Sequence, residues 1–227
     1  MKNKLALLAA AAAIAFSGAS AQGLSANEVV NRLEATTKAL KDVSMRVTGT
    51  ASGADQKLKL DLDIKAISAL DLVRITFRAP ESLADNFVIV DKTRVWNYLF
   101  LTNQVTVSPR SKASFAGTGF DLGSITDLNA MVPRDKVNYK LVASNEKTPA
   151  GATYVLEATP KANSGLDFDK VKVWVLENGF RPYRVQFSGD KNATTADLTI
   201  VEWKANTGLK EAALRAYPKD AEVINKK

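Results

Sequence analysis

Residues 57–65 read KLKLDLDIK, with a charged residue at 57, 59, 61, 63 and 65 and Leu or Ile at every position between. A strict period of two is the signature of a β-strand with one apolar face and one wet face. The same period recurs on both sides of this stretch. Val43, Met45 and Val47 alternate with Ser44, Arg46 and Thr48, and Ser52 to Asp55 make a turn. Val73, Ile75 and Phe77 alternate with Arg74, Thr76 and Arg78 until Pro80 stops the strand. NFVIVD and TRVWNYL predict two strands around a tight Asp91-Lys92 connection, and NQVTVS a short one before Pro109. Further strands are expected at KVNYKLVAS, ATYVLEATP, KVKVWVLE, RPYRVQFS and TTADLTIVEWKA, with Asn178-Gly179 supplying a strong hairpin signal.

Two segments break the pattern. Leu24 to Asp42 has helical character: Ser25 is a candidate N-cap, Glu28 stands at capping-box spacing, and Val29, Leu33, Thr36 and Leu40 recur on one face. Ser111 to Pro133 is rich in Gly, Ser and Ala and reads as a long loop with a short helix around Ile125 to Met131. The remainder amounts to ten or eleven strands joined by short turns, so an antiparallel meander is the economical topology. One buried face suits a curved sheet, since a sandwich and an open barrel both hide only their inner sides. If the sheet curls, its lining is expected to be largely Leu, Ile and Val, because nine Phe, five Tyr and three Trp are few for so many strands. The alternation names that lining as Met45, Val47, Leu58, Leu60, Leu62, Ile64, Val73, Ile75, Phe77, Tyr183, Val185 and Phe187. The N-terminal helix, through Val29, Leu33 and Leu40, and the loop helix are natural plugs for the mouth of such a barrel. A packed core touching no ligand is the competing reading of every one of these positions, and packing is the favoured role of Trp96 and Trp174.

The first residues read as a targeting segment. Lys2 and Lys4 precede the apolar run Leu5 to Phe16, too short to span a bilayer, and Ala19-Ser20-Ala21 offers small residues at a cleavage site. Residues 1–21 are therefore expected to be a signal peptide, and 22–227 a single exported domain. With no Cys at the cleavage point or elsewhere, neither a lipid anchor nor a disulfide is expected. The formal net charge of +7 is spread along the chain without a basic run, so nucleic acid is not an expected partner. Lys57, Lys59, Arg74 and Arg78 are read as ordinary solubilising charge in preference to steering toward an acidic membrane partner.

Chemistry is thin. With no His and no Cys, Ser-His-Asp and Cys-His nucleophiles and imidazole or thiolate zinc sites are impossible. Gly117 to Gly119 lacks the lysine of a phosphate-binding loop, and Asp167 to Lys170 lacks calcium-loop spacing. Asp61 and Asp63 belong to the wet side of their strand. An enzyme, a metal and a cofactor are not expected.

Two stretches resemble the periplasmic lipoprotein carriers of the LolA type and the related outer-membrane lipoprotein-sorting proteins. In the first, APESLADNFVIVDKTRVWNYLFLTNQVTVSPRSKASFAGTGFDLGSITDL, the likeness lies in a Pro-ended strand, a turn at Asp91, VWNY, a polar NQV hairpin and the SFAGTGFDLGSITDL that follows. The second, ENGFRPYRVQFSGDKNATTADLTIVEWKANTGLKEAALRAYPKDAEVINK, is similar in its hairpin, its P-x-R strand and its closing YPKDAEVI. The resemblance implies a mainly β fold, an incomplete antiparallel β-barrel closed by helices acting as a lid. It implies a soluble, monomeric periplasmic carrier that holds acyl chains of lipoproteins or lipids and shuttles them toward the outer membrane. An inner-membrane release complex and an outer-membrane acceptor would be its partners. The family's lid-latching arginine before a proline is not matched, since Lys65 to Leu70 reads KAISAL. The alternative is an envelope-stress sensor of the same fold that binds a membrane partner.

Overall fold

The computed structural model describes residues 23–52, 57–112, 136–164, 168–189 and 194–226. Helix α1 (Ala26–Lys38) opens it under a complete capping box: Glu28 accepts from the Ser25 backbone at 2.8 Å, and the Ser25 hydroxyl accepts from the Glu28 N–H. The helix ends at Lys38, earlier than its pattern suggests, so Leu40 lies in the turn beyond it and not on the helix face. A carboxylate draws the chain into the sheet there. Asp42, already in strand, accepts from Thr207 and Gly208 across the sheet end.

The strands are β1 (Asp42–Ser52), β2 (Lys57–Ile67), β3 (Leu72–Ala79), β4 (Phe87–Val90), β5 (Arg94–Leu99), β6 (Gln104–Pro109), β7 (Val137–Thr148), β8 (Gly151–Pro160), β9 (Lys170–Leu176), β10 (Pro182–Ser188), β11 (Thr194–Ala205) and β12 (Glu222–Asn225). A short helix α2 (Glu211–Arg215) precedes the last strand. All twelve join one sheet in the order β12-β6-β5-β4-β3-β2-β1-β11-β10-β9-β8-β7. Two meanders, β1 to β6 and β7 to β11, are thus sealed along the antiparallel β1–β11 pair. The sheet is open and curled, with β12 and β7 at its edges. Only β12 departs from the antiparallel rule, running parallel to β6.

KLKLDLDIK, in β2, lies in the middle of the sheet, between β1 and β3. Leu62 faces Val47 on β1 and Phe77 on β3, and Ile64 faces Met45 and Ile75. Apolar cross-strand partners on one face drive the other face outward, where ion pairs lace it. Arg46 binds Asp61 through two hydrogen bonds of 2.9 and 2.7 Å, and Arg78 reaches Asp63 at 3.2 Å.

A wet outer face holds for β1, β2, β10 and β11 but fails for β3 to β6. There Leu72, Phe87, Ile89, Tyr98, Val105 and Val107 form an outer cluster capped by Leu214 of α2. Strand β4, FVIV, is buried at all four positions, because Val88 and Val90 join the inner cluster while Phe87 and Ile89 join the outer one. The helix expected at Ile125 to Met131 lies outside the described residues.

Candidate functional site

The inner face of the sheet carries two apolar clusters. One belongs to strands: Met45, Val47, Leu60, Leu62, Ile64, Val73, Ile75 and Phe77 join residues of β4, β5 and β11, and every buried member is at most 8% exposed. Apart from Phe77, these buried members carry no aromatic ring. Neither helix contributes to this cluster; among the described residues it draws on strands, with Leu83 of the β3–β4 connection packed at its margin. The second cluster is the helix-covered half, where Val29 and Val30 pack on Val137, Leu156, Val171, Val173, Val175 and Val185. Phe187 belongs to the margin of both, so the inner surface is continuous from β5 to β7.

Most residues picked out by alternation therefore meet on one wall. Two do not. Leu58 is only half-buried, near the start of β2, opposite Ala51. Tyr183 falls where the β9–β10 register shifts between Pro182 and Arg184, and it joins neither cluster. A bulge resets the period, so counting by twos no longer fixes which face a residue takes. Leu33 packs at the margin of the helix-covered cluster.

Gly49 permits the close approach of β1 to β11. A Cβ on this residue would lie 2.0 Å from the Asp197 carbonyl oxygen on β11, so only glycine permits that approach. The Arg46–Val47 bulge on the same strand adds local twist.

Trp174 and Trp96 lie outside this wall, whereas Trp203 packs against its strand-built cluster. Trp174 donates to Glu146 at 2.9 Å under the Arg184 guanidinium, and Trp96 packs on the outer cluster beneath Arg215. The rim has a different character. At the end of the sheet bearing the β3–β4 and β5–β6 connections, a cavity of about 550 Å³ is lined by Glu81, Ser82, Ala84, Asp85, Asn86, Phe100 and Leu101. Leu101 at this rim is 90% exposed. At the opposite end, Asp91 gathers hydrogen bonds from the Thr93 and Arg94 backbone and from Arg215 at 2.9 Å. Burial pushes the Asp91 carboxyl up, but these donors outweigh it and hold its pKa below the ordinary value.

Among the described residues no cluster of three or more Asp or Glu could hold a metal ion, and none of the helices is long and apolar enough to cross a membrane.

A family model described as "Uncharacterized protein" matches residues 71–225, more than half of the chain. The chain belongs to that family. No curated protein sequence matches it. Among solved structures, an uncharacterized conserved protein from Thermus thermophilus is 27% identical, with 88% of this chain and 99% of that chain covered and a TM-score of 0.63. MucB is 12% identical, covering 88% of this chain and 65% of its own, at a TM-score of 0.52. A LolA-superfamily protein from Nitrosomonas europaea is 12% identical, with 85% and 98% covered and a TM-score of 0.45. The fold shared with the Thermus protein and MucB is an open, curled, mainly antiparallel sheet, here with a helix packed on its inner side.

Proposed function

We propose that this LolA-like chain is a carrier of acyl chains, taking those of lipoproteins or free lipids onto the inner wall formed by β1 to β5 and β11. The observation that carries the reading is the composition of that wall: Met45, Val47, Leu60, Leu62, Ile64, Val73 and Ile75 form a continuous aliphatic surface that, among the described residues, is built by strands. A saturated chain needs no directional partner, and each CH₂ removed from water contributes about 0.8 kcal/mol. A wall this rich in aliphatic side chains therefore suits a long acyl chain better than a polar substrate. The helix-covered half supplies a firm back to the site, since α1 is anchored there by Val29 and Val30.

On this reading residues 1–21 direct export, residues 22–227 form one domain, and the carrier works in the periplasm between two membranes. Its lipid partners are delivered and collected by membrane proteins, and no catalytic step is required. Purification from the native periplasm followed by lipid mass spectrometry tests the reading directly. Co-purifying lipid or lipoprotein is expected. A protein that is consistently empty and ignores fluorescent fatty-acyl probes would overturn it, and recovery with a membrane protein but no lipid would favour a sensor.

A further inference from the structure

Arg181 is the exception among the arginines that reach into this fold. Arg46, Arg78, Arg110, Arg184 and Arg215 each bind a carboxylate, and Arg74 binds two carbonyl oxygens. The Arg181 Nη1 is buried without a hydrogen-bond partner, and among the described residues this side chain makes no ion pair. Burial holds its pKa below the ordinary guanidinium value, with nothing opposing the shift. Leaving a guanidinium N–H unanswered away from water is costly, and structures seldom retain such a group without a use for it.

Its position gives the use. Arg181 follows the β9–β10 turn, where the Gly179 carbonyl accepts from the Thr36 hydroxyl of α1 at 3.2 Å. The guanidinium lies over the Trp203 ring at 5.6 Å from its centre, and Trp203 packs against the strand-built inner cluster opposite Met45. The cation thus stands at the seam between α1 and the aliphatic wall, at the end of the sheet. An amphiphile with its chain along that wall would bring its head to such a seam.

We propose that Arg181 is the anion-recognition point of the inner wall, pairing with the carboxylate or phosphate of a ligand whose acyl chain lies on the neighbouring aliphatic residues. This rests on the carrier reading above. A guanidinium fork accepts either anion through two parallel N–H bonds, and the unpaired Nη1 is the donor available for it. The preferred cargo is then an anionic lipid, not a neutral one.

The test uses the full chain and displacement of a fluorescent fatty-acid probe by oleate, oleoyl lysophosphatidate and oleyl alcohol. The two anionic ligands are expected to bind about tenfold more tightly than the alcohol, the scale of one charge-assisted hydrogen bond. R181Q should abolish that advantage while leaving oleyl alcohol affinity unchanged, which also shows that the variant is folded; R181K should retain part of it. Inorganic phosphate raising the melting temperature of the wild type but not of R181Q would assign the site to a free anion. The same selective effect from oleoyl lysophosphatidate alone would assign it to a lipid headgroup. Equal affinity of the wild type for oleate and oleyl alcohol, or an oleate advantage that survives R181Q, overturns the assignment and leaves the carrier reading standing. Failure of every acyl ligand to bind the wild type overturns both.

Discussion

The guanidinium of Arg74 lies 3.7 Å over the ring of Phe87 and donates to the carbonyl oxygens of Leu214 and Ala216 at 3.1 and 2.6 Å. By sequence Arg74 is a wet-face residue of β3. In the structure it is the clamp that holds the C-terminal segment on the outer side of the sheet. Its carbonyl partners come from the end of α2, where the last carbonyls of a helix lack intrahelical donors.

R74M keeps much of the side-chain volume and removes the donors. Two orphaned carbonyls and a lost cation–π contact are expected to cost about 2 kcal/mol. For a domain of this size that is a fall of roughly 4–8 °C in melting temperature. Hydrogen exchange should quicken in residues 211–225 before it changes in β1 or β2. Unaltered exchange in that segment would show that Arg74 is not its clamp.

Four aspartates make acid the natural denaturant. Asp42, Asp61, Asp91 and Asp197 all have pKa values held below the ordinary carboxylate value. The largest influence on Asp61 and Asp197 is the hydrogen bond from Arg46 or Arg184, while for Asp42 and Asp91 donors overcome an opposing effect of burial. A carboxyl whose pKa is lower in the folded state contributes stability above its unfolded pKa of about 3.9 and loses it as pH falls through the folded value. Stability should therefore be flat from neutral pH down to about 5 and fall steeply below about 4. D91N should be less stable at pH 7 yet show a shallower acid loss. A melting temperature whose acid slope is identical in D91N and wild type would remove Asp91 from this linkage.

Gly49 offers a sharper test of the approach of β1 to β11. Adding one methyl group places a carbon 2.0 Å from the Asp197 carbonyl oxygen, a backbone atom that cannot rotate away. G49A is expected to destabilise by about 3 kcal/mol or more, at the upper end of overpacking costs, because β1 and β11 must separate along the seam of the two meanders. Urea denaturation reads this directly. A change below about 1 kcal/mol, within the range of tolerated substitutions, would mean that the seam yields more readily than the close approach implies.

The contrast between KLKLDLDIK and FVIV explains which parts of the fold were legible in the sequence. Alternation reports one face hidden and one wet, and Leu60, Leu62 and Ile64 are buried where it says. FVIV loses the alternation because both its faces are covered, and the cover comes from residues more than a hundred positions away. That cover, Leu209, Leu214 and Ala221, is too sparse along the chain to show a period, and the parallel pairing of β12 with β6 leaves no mark in either strand's own pattern. The candidate wall was legible up to the bulges. Tyr183 falls at one and joins neither inner cluster, and Arg181 gave no signal, since a guanidinium with an unpartnered Nη1 looks like any other arginine until its neighbours are known.

Leu62 separates a filled core from a ligand-bearing wall. It is fully buried between Val47 and Phe77. In a filled core, Leu→Ala leaves a void that nothing occupies and costs about 2.7–5.0 kcal/mol. On an acyl-binding wall the same truncation enlarges the site, and a longer chain can enter the space. L62A is therefore expected to shift preference among saturated fatty acids toward longer chains by about two CH₂ groups. The melting temperature lost by truncation should be partly regained when the longer acid is added, since a ligand bound only by the folded state stabilises it. A variant that loses stability, regains none with any acyl chain and keeps the wild-type length preference would place Leu62 in ordinary packing and move the acyl site elsewhere on the molecule.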